Sequence, residues 1–202
     1  MSIFLGLFDG HNASAAALRT GRLEVALQEE RLSRTKNHFG PPLQATQKIL
    51  ELLGASPGDA ERICVVSRYV PTARHPRDIK LLFDDRYNNG ARQQLLRACA
   101  HLKFYRNLRT RQRMQQRRDA VARWGFDPQR IEFCEHHQAH AAGAYYGLRK
   151  DDAPYLILTL DGGGDGLSGS VWIGRDGELT RVASVPQADS LGEIYAATTH
   201  YL

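Results

Sequence analysis

His136 and His140 stand four residues apart in Glu135-His136-His137-Gln138-Ala139-His140. On a helix that spacing puts both imidazoles on one face, within reach of one metal ion. Further along, the apolar run Tyr155–Leu160 ends at Asp161, which opens the stretch Gly162-Gly163-Gly164-Asp165-Gly166. Asp161 is therefore expected to give a third, hard ligand. Two imidazoles and a carboxylate form a set typical of iron(II) or zinc. The plain alternative is a surface histidine pair and an unrelated strand-end aspartate. The glycine-rich sequel to the strand favours the metal. His137 falls on another helix face, where a supporting or exposed role is expected. Cys134, close to His136, is a weaker ligand candidate.

Gly162, Gly163 and Gly164 let backbone N–H groups approach an anion without a Cβ in the way. Asp161 and Asp165 would repel a bare phosphate, so a cation between carboxylate and phosphate makes better sense of them. A glycine-rich hairpin turn is the competing account. A metal beside a phosphate suggests an enzyme acting on an activated phosphate compound.

Asp9-Gly10-His11-Asn12 repeats the pattern near the start of the chain, again after an apolar run, Ile3–Phe8. Asp9, Gly10 and Asn12 are thus candidates for a second phosphate loop. A neutral His11 imidazole there could take a proton from a substrate hydroxyl, or serve only as a hydrogen-bonding group. Arg31, Arg34 and Lys36, in Glu29-Glu30-Arg31-Leu32-Ser33-Arg34-Thr35-Lys36, suit a phosphate or carboxylate. On spacing alone a solvated charged loop is the favoured account of them.

These residues need elements to hold them. Ile3–Phe8, Ala13–Leu18 and Leu23–Gln28 are expected strands, the last two joined through Thr20-Gly21-Arg22. Pro41-Pro42 opens a helix with Leu43, Thr46, Ile49, Leu50 and Leu53 at helical spacing, closed by Gly54. Arg62–Ser67 and Ile131–Cys134 are further strands, and the histidine helix follows to about Gly147. The pattern then restarts with Tyr155–Leu160, Ser168–Ile173, Leu179–Val185 and a helix from near Ser190. Strand, Asp-Gly loop, strand, turn, strand, helix thus occurs twice. Such a duplication matches an α/β, actin-like ATPase fold made of two ribonuclease-H-like halves. The halves are expected at 1–150 and 151–202, the second cut short. The helical pattern still running at His200-Tyr201-Leu202 reads as the N-terminal part of a longer protein.

The 202 residues carry a net charge of +5, unevenly spread. The stretch 68–130 holds 16 Lys and Arg against 5 Asp, a net +11, which leaves the remainder at −6. Leu95, Cys99, Leu102, Tyr105 and Leu108 run through it at helical spacing. This basic helical insertion is expected as a solvated hairpin over the core. The other readings are a lid that attracts an anionic substrate and a nucleic-acid surface. No zinc-finger or RNA-reading motif supports the last, so nucleic acid is not the expected partner. No apolar run approaches the roughly 18 residues of a membrane span, and the N-terminus lacks signal-peptide features. Cys64, Cys99 and Cys134 are odd in number and widely spaced, as reduced core residues of a cytoplasmic protein would be.

Taken in order, Asp9-Gly10-His11-Asn12-Ala13-Ser14-Ala15-Ala16, the Glu-Arg-x-x-Arg-x-Lys stretch ending at Lys36, Glu135–Ala142, Leu160–Gly166 and Leu191-Gly192-Glu193-Ile194-Tyr195 resemble the O-carbamoyltransferase family of antibiotic and nodulation-factor biosynthesis. The resemblance covers nearly the whole chain. It implies an N-terminal actin-like domain and, beyond this chain, an adenylate-forming domain. It implies that carbamoyl phosphate and ATP give carbamoyl adenylate, whose carbamoyl group passes to a hydroxyl of a small-molecule acceptor in secondary metabolism. It also implies a divalent metal at His136, His140 and Asp161, iron(II) first with zinc or magnesium as alternatives, and His11 acting on the acceptor hydroxyl. The remaining readings are another actin-like phosphotransferase, a threonylcarbamoyl-transfer relative, or a nucleic-acid-binding fragment without enzyme activity.

Overall fold

The computed structural model describes residues 2–69 and 103–201, and the chain divides into two compact units, Met1–Phe133 and Cys134–Leu202. In the first unit, β1 (Ile3–Phe8), β2 (Ser14–Arg19) and β3 (Arg22–Gln28) form an antiparallel meander. The β2–β3 turn places Thr20 and Gly21 both at positive φ, 50° and 78°, as a two-residue type I′ hairpin requires. Helices α1 (Glu29–Ser33) and α2 (Leu43–Leu53) follow, then β4 (Ala60–Val66), helix α3 (Lys103–Ala122) and β5 (Ile131–Cys134). The sheet order is β3-β2-β1-β4-β5, with β1 and β4 parallel.

Alternation decides which face is buried. Ile3, Leu5 and Leu7 of β1 and Ile63 and Val65 of β4 share one core with Ala45, Ile49 and Leu50 of α2. Gly54 ends α2 at φ 60°, the left-handed cap that costs other residues energy. Val121, Phe126 and Ile131 complete the core. The basic segment is therefore not a solvated appendage throughout. Arg109 and Arg111 are exposed, but Arg117 is buried and Arg118 donates to the Ile131 carbonyl at 3.2 Å. Leu108 is exposed rather than packed. Leu95, Cys99 and Leu102 lie outside the described residues.

The second unit comprises helix α4 (His136–Leu148), β6 (Tyr155–Gly164), β7 (Leu167–Arg175), β8 (Glu178–Pro186) and helix α5 (Leu191–Tyr201). Its three strands are again an antiparallel meander, in the order β6-β7-β8. Asp165-Gly166 and Asp176-Gly177 are both at positive φ and turn the strands as Thr20-Gly21 does. Strand-strand-strand-helix thus occurs in each unit. The sequence pattern groups the histidine helix with residues 1–150, whereas Ala141 and Tyr145 of α4 pack with Ile157 and Trp172 of the second unit. Leu156, Leu158 and Leu160 alternate with these buried positions and are exposed. Strand β6 also does not stop at Leu160. It continues through Asp161 to Gly164, with a register shift between Leu160 and Gly164. Among the described residues no helix is long and apolar enough to cross a membrane.

Candidate functional site

Helix α4 begins where two carboxylates meet its unpaired N–H groups. Glu135 accepts from the backbone of His137 at 2.9 Å and of Gln138 at 3.0 Å, and Asp165 accepts from that of His136 at 2.9 Å. Both negative charges sit at the positive end of the helix dipole. Arg181 lies 3.4 Å from Glu135 and over the Trp172 ring. These N–H groups are already satisfied, so the start of α4 holds the protein's own carboxylates rather than a phosphate. Asp165, expected as a phosphate-loop residue, tethers the first histidine through this contact. Gly164, just before it, has no room for a side chain, because a Cβ there would fall on the His136 ring.

The helical spacing brings His136 and His140 together with Nε2 atoms 3.1 Å apart. Asp161 Oδ2 lies 2.6 Å from His136 Nε2 and 3.5 Å from His140 Nε2. One ligand atom from each residue fits within a 4.8 Å span. Ligands bound at about 2.0–2.2 Å around one ion stand roughly 3.0–3.5 Å apart, so the set needs only a small opening to take a cation. His136 is nearly buried, whereas His140 and Asp161 are 55% and 38% exposed, which leaves one side of the group open. Cys134 is half-buried and its thiol approaches the Glu135 carbonyl at 3.5 Å, and among the described residues the cluster comprises His136, His140 and Asp161.

The charges are coupled. The hydrogen bonds from His136 and then His140 hold the Asp161 carboxyl far below the usual carboxylate range. The same hydrogen bond with Asp161 raises His140 above the ordinary imidazole value, against a smaller opposing effect of burial. The other Asp161 oxygen accepts from the Gly162 N–H at 2.6 Å. Asp165 and Gly166 form the hairpin turn, so the glycine stretch is partly strand and partly turn. Among the glycines expected to cradle phosphate, a Cβ at Gly163 would meet Gln187 and the Gly162 carbonyl is taken by the Ser190 hydroxyl.

The first unit treats its equivalent residues differently. Asp9, just past β1, is held by Arg117, with Nε 2.8 Å from Oδ2 and one terminal nitrogen 2.6 Å from Oδ1. Arg117 also donates to the carbonyls of Val66, at 2.8 Å, and Ser67, at 2.5 Å, and lies against the Phe133 ring. Asp9 is thus occupied structurally. Gly10 is buried. His11 and Asn12 are exposed, Asn12 at φ 55°, and the His11 ring stands edge-on to Phe8 at 5.9 Å. Backbone hydrogen bonds Ala13 N–His38 O and Gly40 N–Gly10 O, with a His11–Phe39 bridge, strap this loop to the segment after α1.

Arg31 within α1 and Arg34 and Lys36 after it are all exposed, and Arg31 meets Glu30 at only 3.9 Å. Their acidic neighbours have other duties. Buried Glu29 caps α2 through the N–H groups of Gln44 at 3.1 Å and Ala45 at 2.8 Å, and Glu30 accepts from Asn37 N at 2.9 Å.

The mixed α/β fold and these motifs belong to a known class. The chain matches the family described as "Carbamoyltransferase N-terminus" over residues 4–202 and belongs to it. It is 30% identical over 192 residues to nodulation protein NolNO of Sinorhizobium fredii strain NGR234, covering 95% of this chain and 25% of that protein. Over 67 residues it is 36% identical to nodulation protein NolO of Bradyrhizobium diazoefficiens, 33% of this chain and 12% of that one. The chain spans 25–30% of the length of the curated relatives that it matches along nearly its whole extent. Among solved structures, YeaZ from Pseudomonas aeruginosa aligns with a TM-score of 0.46 at 15% identity, over 92% of this chain and 68% of that one. That likeness is too loose to argue from.

One placement escapes sequence reading, and another is narrowed by the structure. Arg117 carries no mark that separates it from Arg111 or Arg118. His137, expected as supporting or exposed, is fully buried, with Nδ1 2.8 Å from the Thr159 hydroxyl. Its supporting place was signalled only by the alternation of β6, which turns Thr159 and Asp161 to one face.

Proposed function

We propose that this chain is the N-terminal part of an O-carbamoyltransferase. The complete protein moves a carbamoyl group from carbamoyl phosphate, by way of a carbamoyl adenylate made with ATP, to a hydroxyl of a small-molecule acceptor. The observation that carries this reading is the convergence of His136, His140 and Asp161 in a chain of the carbamoyltransferase family. The order of the first sheet and the recurring meander support an actin-like fold of two ribonuclease-H-like halves.

His136, His140 and Asp161 would hold the divalent cation, iron(II) before zinc or magnesium, which supplies neutralisation of charge on the donor's phosphoryl oxygens. The exposure of His140 and Asp161 leaves the group accessible to such a donor. Gly162, Gly163 and Gly164 keep side chains away from the approach. Arg31, Arg34 and Lys36 offer charge-assisted hydrogen bonds to phosphate or carboxylate. His11, exposed on the loop with Gly10 and Asn12, takes the proton of the acceptor hydroxyl as that oxygen attacks the carbamoyl carbon, and AMP leaves. Asp9 and Asp165 keep structural partners and act by positioning.

The test uses the complete protein. His11→Ala is expected to retain carbamoyl adenylate formation, followed by chromatography of the adenylate, and to lose carbamoyl transfer by about 10²–10⁴-fold. Transfer at the native rate removes His11 from this role.

A further inference from the structure

Two adjacent helix residues and two alternate strand residues meet across α4 and β6. His136 reaches Asp161 at 2.6 Å, and His137 reaches Thr159 at 2.8 Å. Adjacent positions on a helix diverge, whereas residues i and i+2 on a strand share a face. The two contacts therefore act as two rungs that fix the rotation and height of α4 against β6.

The rungs differ in what a cation does to them. His136 Nε2 and Asp161 Oδ2 are both candidate ligand atoms, so their direct hydrogen bond must open for an ion to enter. The His137–Thr159 contact uses no ligand atom and stays closed. It is also buried and backed from behind. His137 and Thr159 are 0% and 6% exposed. Thr159 Oγ1 lies 2.6 Å from Ser170 Oγ, which accepts from the Trp172 indole N–H at 2.6 Å. The Trp172 N–H can only donate, so the hydroxyl chain has a fixed anchor in the core of the unit. Among the described residues His137 Nε2 has no hydrogen-bond partner, so Thr159 is the polar tie that orients this ring.

We propose that His137 and Thr159 are positioning residues for the cation, the rung that keeps His136 and His140 aimed at Asp161 while the ligand-side rung opens. This inference rests on the metal reading above. Outer partners that orient metal ligands typically contribute 10–100-fold in affinity.

The test is titration of the chain with Co²⁺, read by its visible ligand-field spectrum and by competition with a chelator. Thr159→Val keeps the shape and removes the hydroxyl. It is expected to bind Co²⁺ about 10–100-fold more weakly, with an altered spectrum and native far-ultraviolet circular dichroism. Thr159→Ser keeps the hydroxyl and is expected to restore near-native binding and spectrum. Ser170→Ala, which removes only the support behind Thr159, should weaken binding in the same direction by less, and it serves if Thr159→Val does not fold. Native-like binding by Thr159→Val, or by Ser170→Ala where the valine variant is unfolded, overturns the proposal, as does equal weakening by valine and serine. Absence of Co²⁺ binding by the native chain overturns the metal reading and this inference together.

Discussion

Each unit carries an Asp-Gly pair at its leading strand, Asp9 just past the end of β1 and Asp161 inside β6, and the two aspartates are neutralised by different chemistry. Asp9 meets a guanidinium that is always charged, buried and joined to two main-chain carbonyls. Asp161 meets two imidazoles that can give up their protons, on a half-exposed face. A guanidinium cannot be a ligand and cannot be deprotonated in a protein, so Asp9 is committed to holding the ends of β1 and β4 together. An imidazole pair can trade its proton for a metal. The same sequence pattern, an apolar run followed by Asp-Gly, thus serves as a structural latch in one unit and a candidate binding site in the other.

The largest effect that would break this contrast is at Arg117. Arg117→Met leaves the Asp9 carboxylate and two carbonyls without their partner and should destabilise the first unit by about 3–5 kcal/mol, measured by urea unfolding. A loss below about 1 kcal/mol would mean that the pair behaves like a surface ion pair and the latch reading fails.

Removing the corresponding imidazole partner in the second unit should do the opposite. His140→Ala is expected to cost about 1 kcal/mol or less of stability, as for an exposed pair, yet to weaken Co²⁺ or Zn²⁺ binding by more than about a hundredfold, beyond what outer partners contribute. Isothermal titration checks the affinity. Retention of binding would exclude His140 as a ligand.

The pH dependence sharpens the same point. Asp161 raises His140, so in the metal-free protein this pairing stabilises fully below the ordinary imidazole value and is lost as pH rises through the raised one. Asp161 itself is lowered, and its contribution is present above the ordinary carboxylate value and lost as pH falls. A metal must displace the His140 proton. Affinity should therefore climb by up to about tenfold per pH unit from below pH 6.5 and level off only above the raised His140 value. A flat profile from pH 6 to 8 would show that no imidazole proton is displaced. The smallest stability effect is expected at the exposed basic residues of α1 and the segment after it, where Arg31→Ala, Arg34→Ala and Lys36→Ala should each change unfolding free energy by no more than about 0.5 kcal/mol.

Much of this was legible in the sequence where the signal is periodic and local. Short apolar runs marked β1 to β4, and i,i+4 spacing with a carboxylate after an apolar run marked the group that meets at His136, His140 and Asp161. What escaped depends on distant partners. Glu29 reads as part of a charged motif, and its partners Gln44 and Ala45 lie a loop away. The burial of Arg117 depends on Asp9, more than a hundred residues earlier. Glycine has little strand preference, so the extension of β6 through Gly164 became visible only through its pairing with Leu167 across the turn. Helix α4 joins the second unit because Tyr145 and Ala141 find Trp172 and Ile157 there, a choice that helical periodicity does not reveal.

The interior seat of Arg117 also sets a limit for anyone trimming this polypeptide. Excising the whole positively charged stretch would strip out the Arg117 side chain that spans Asp9, Val66 and Ser67, together with Val121 and Phe126 of the apolar core. A shortened version has to retain the helical turns from about Arg113 onward, through Val121 and Phe126.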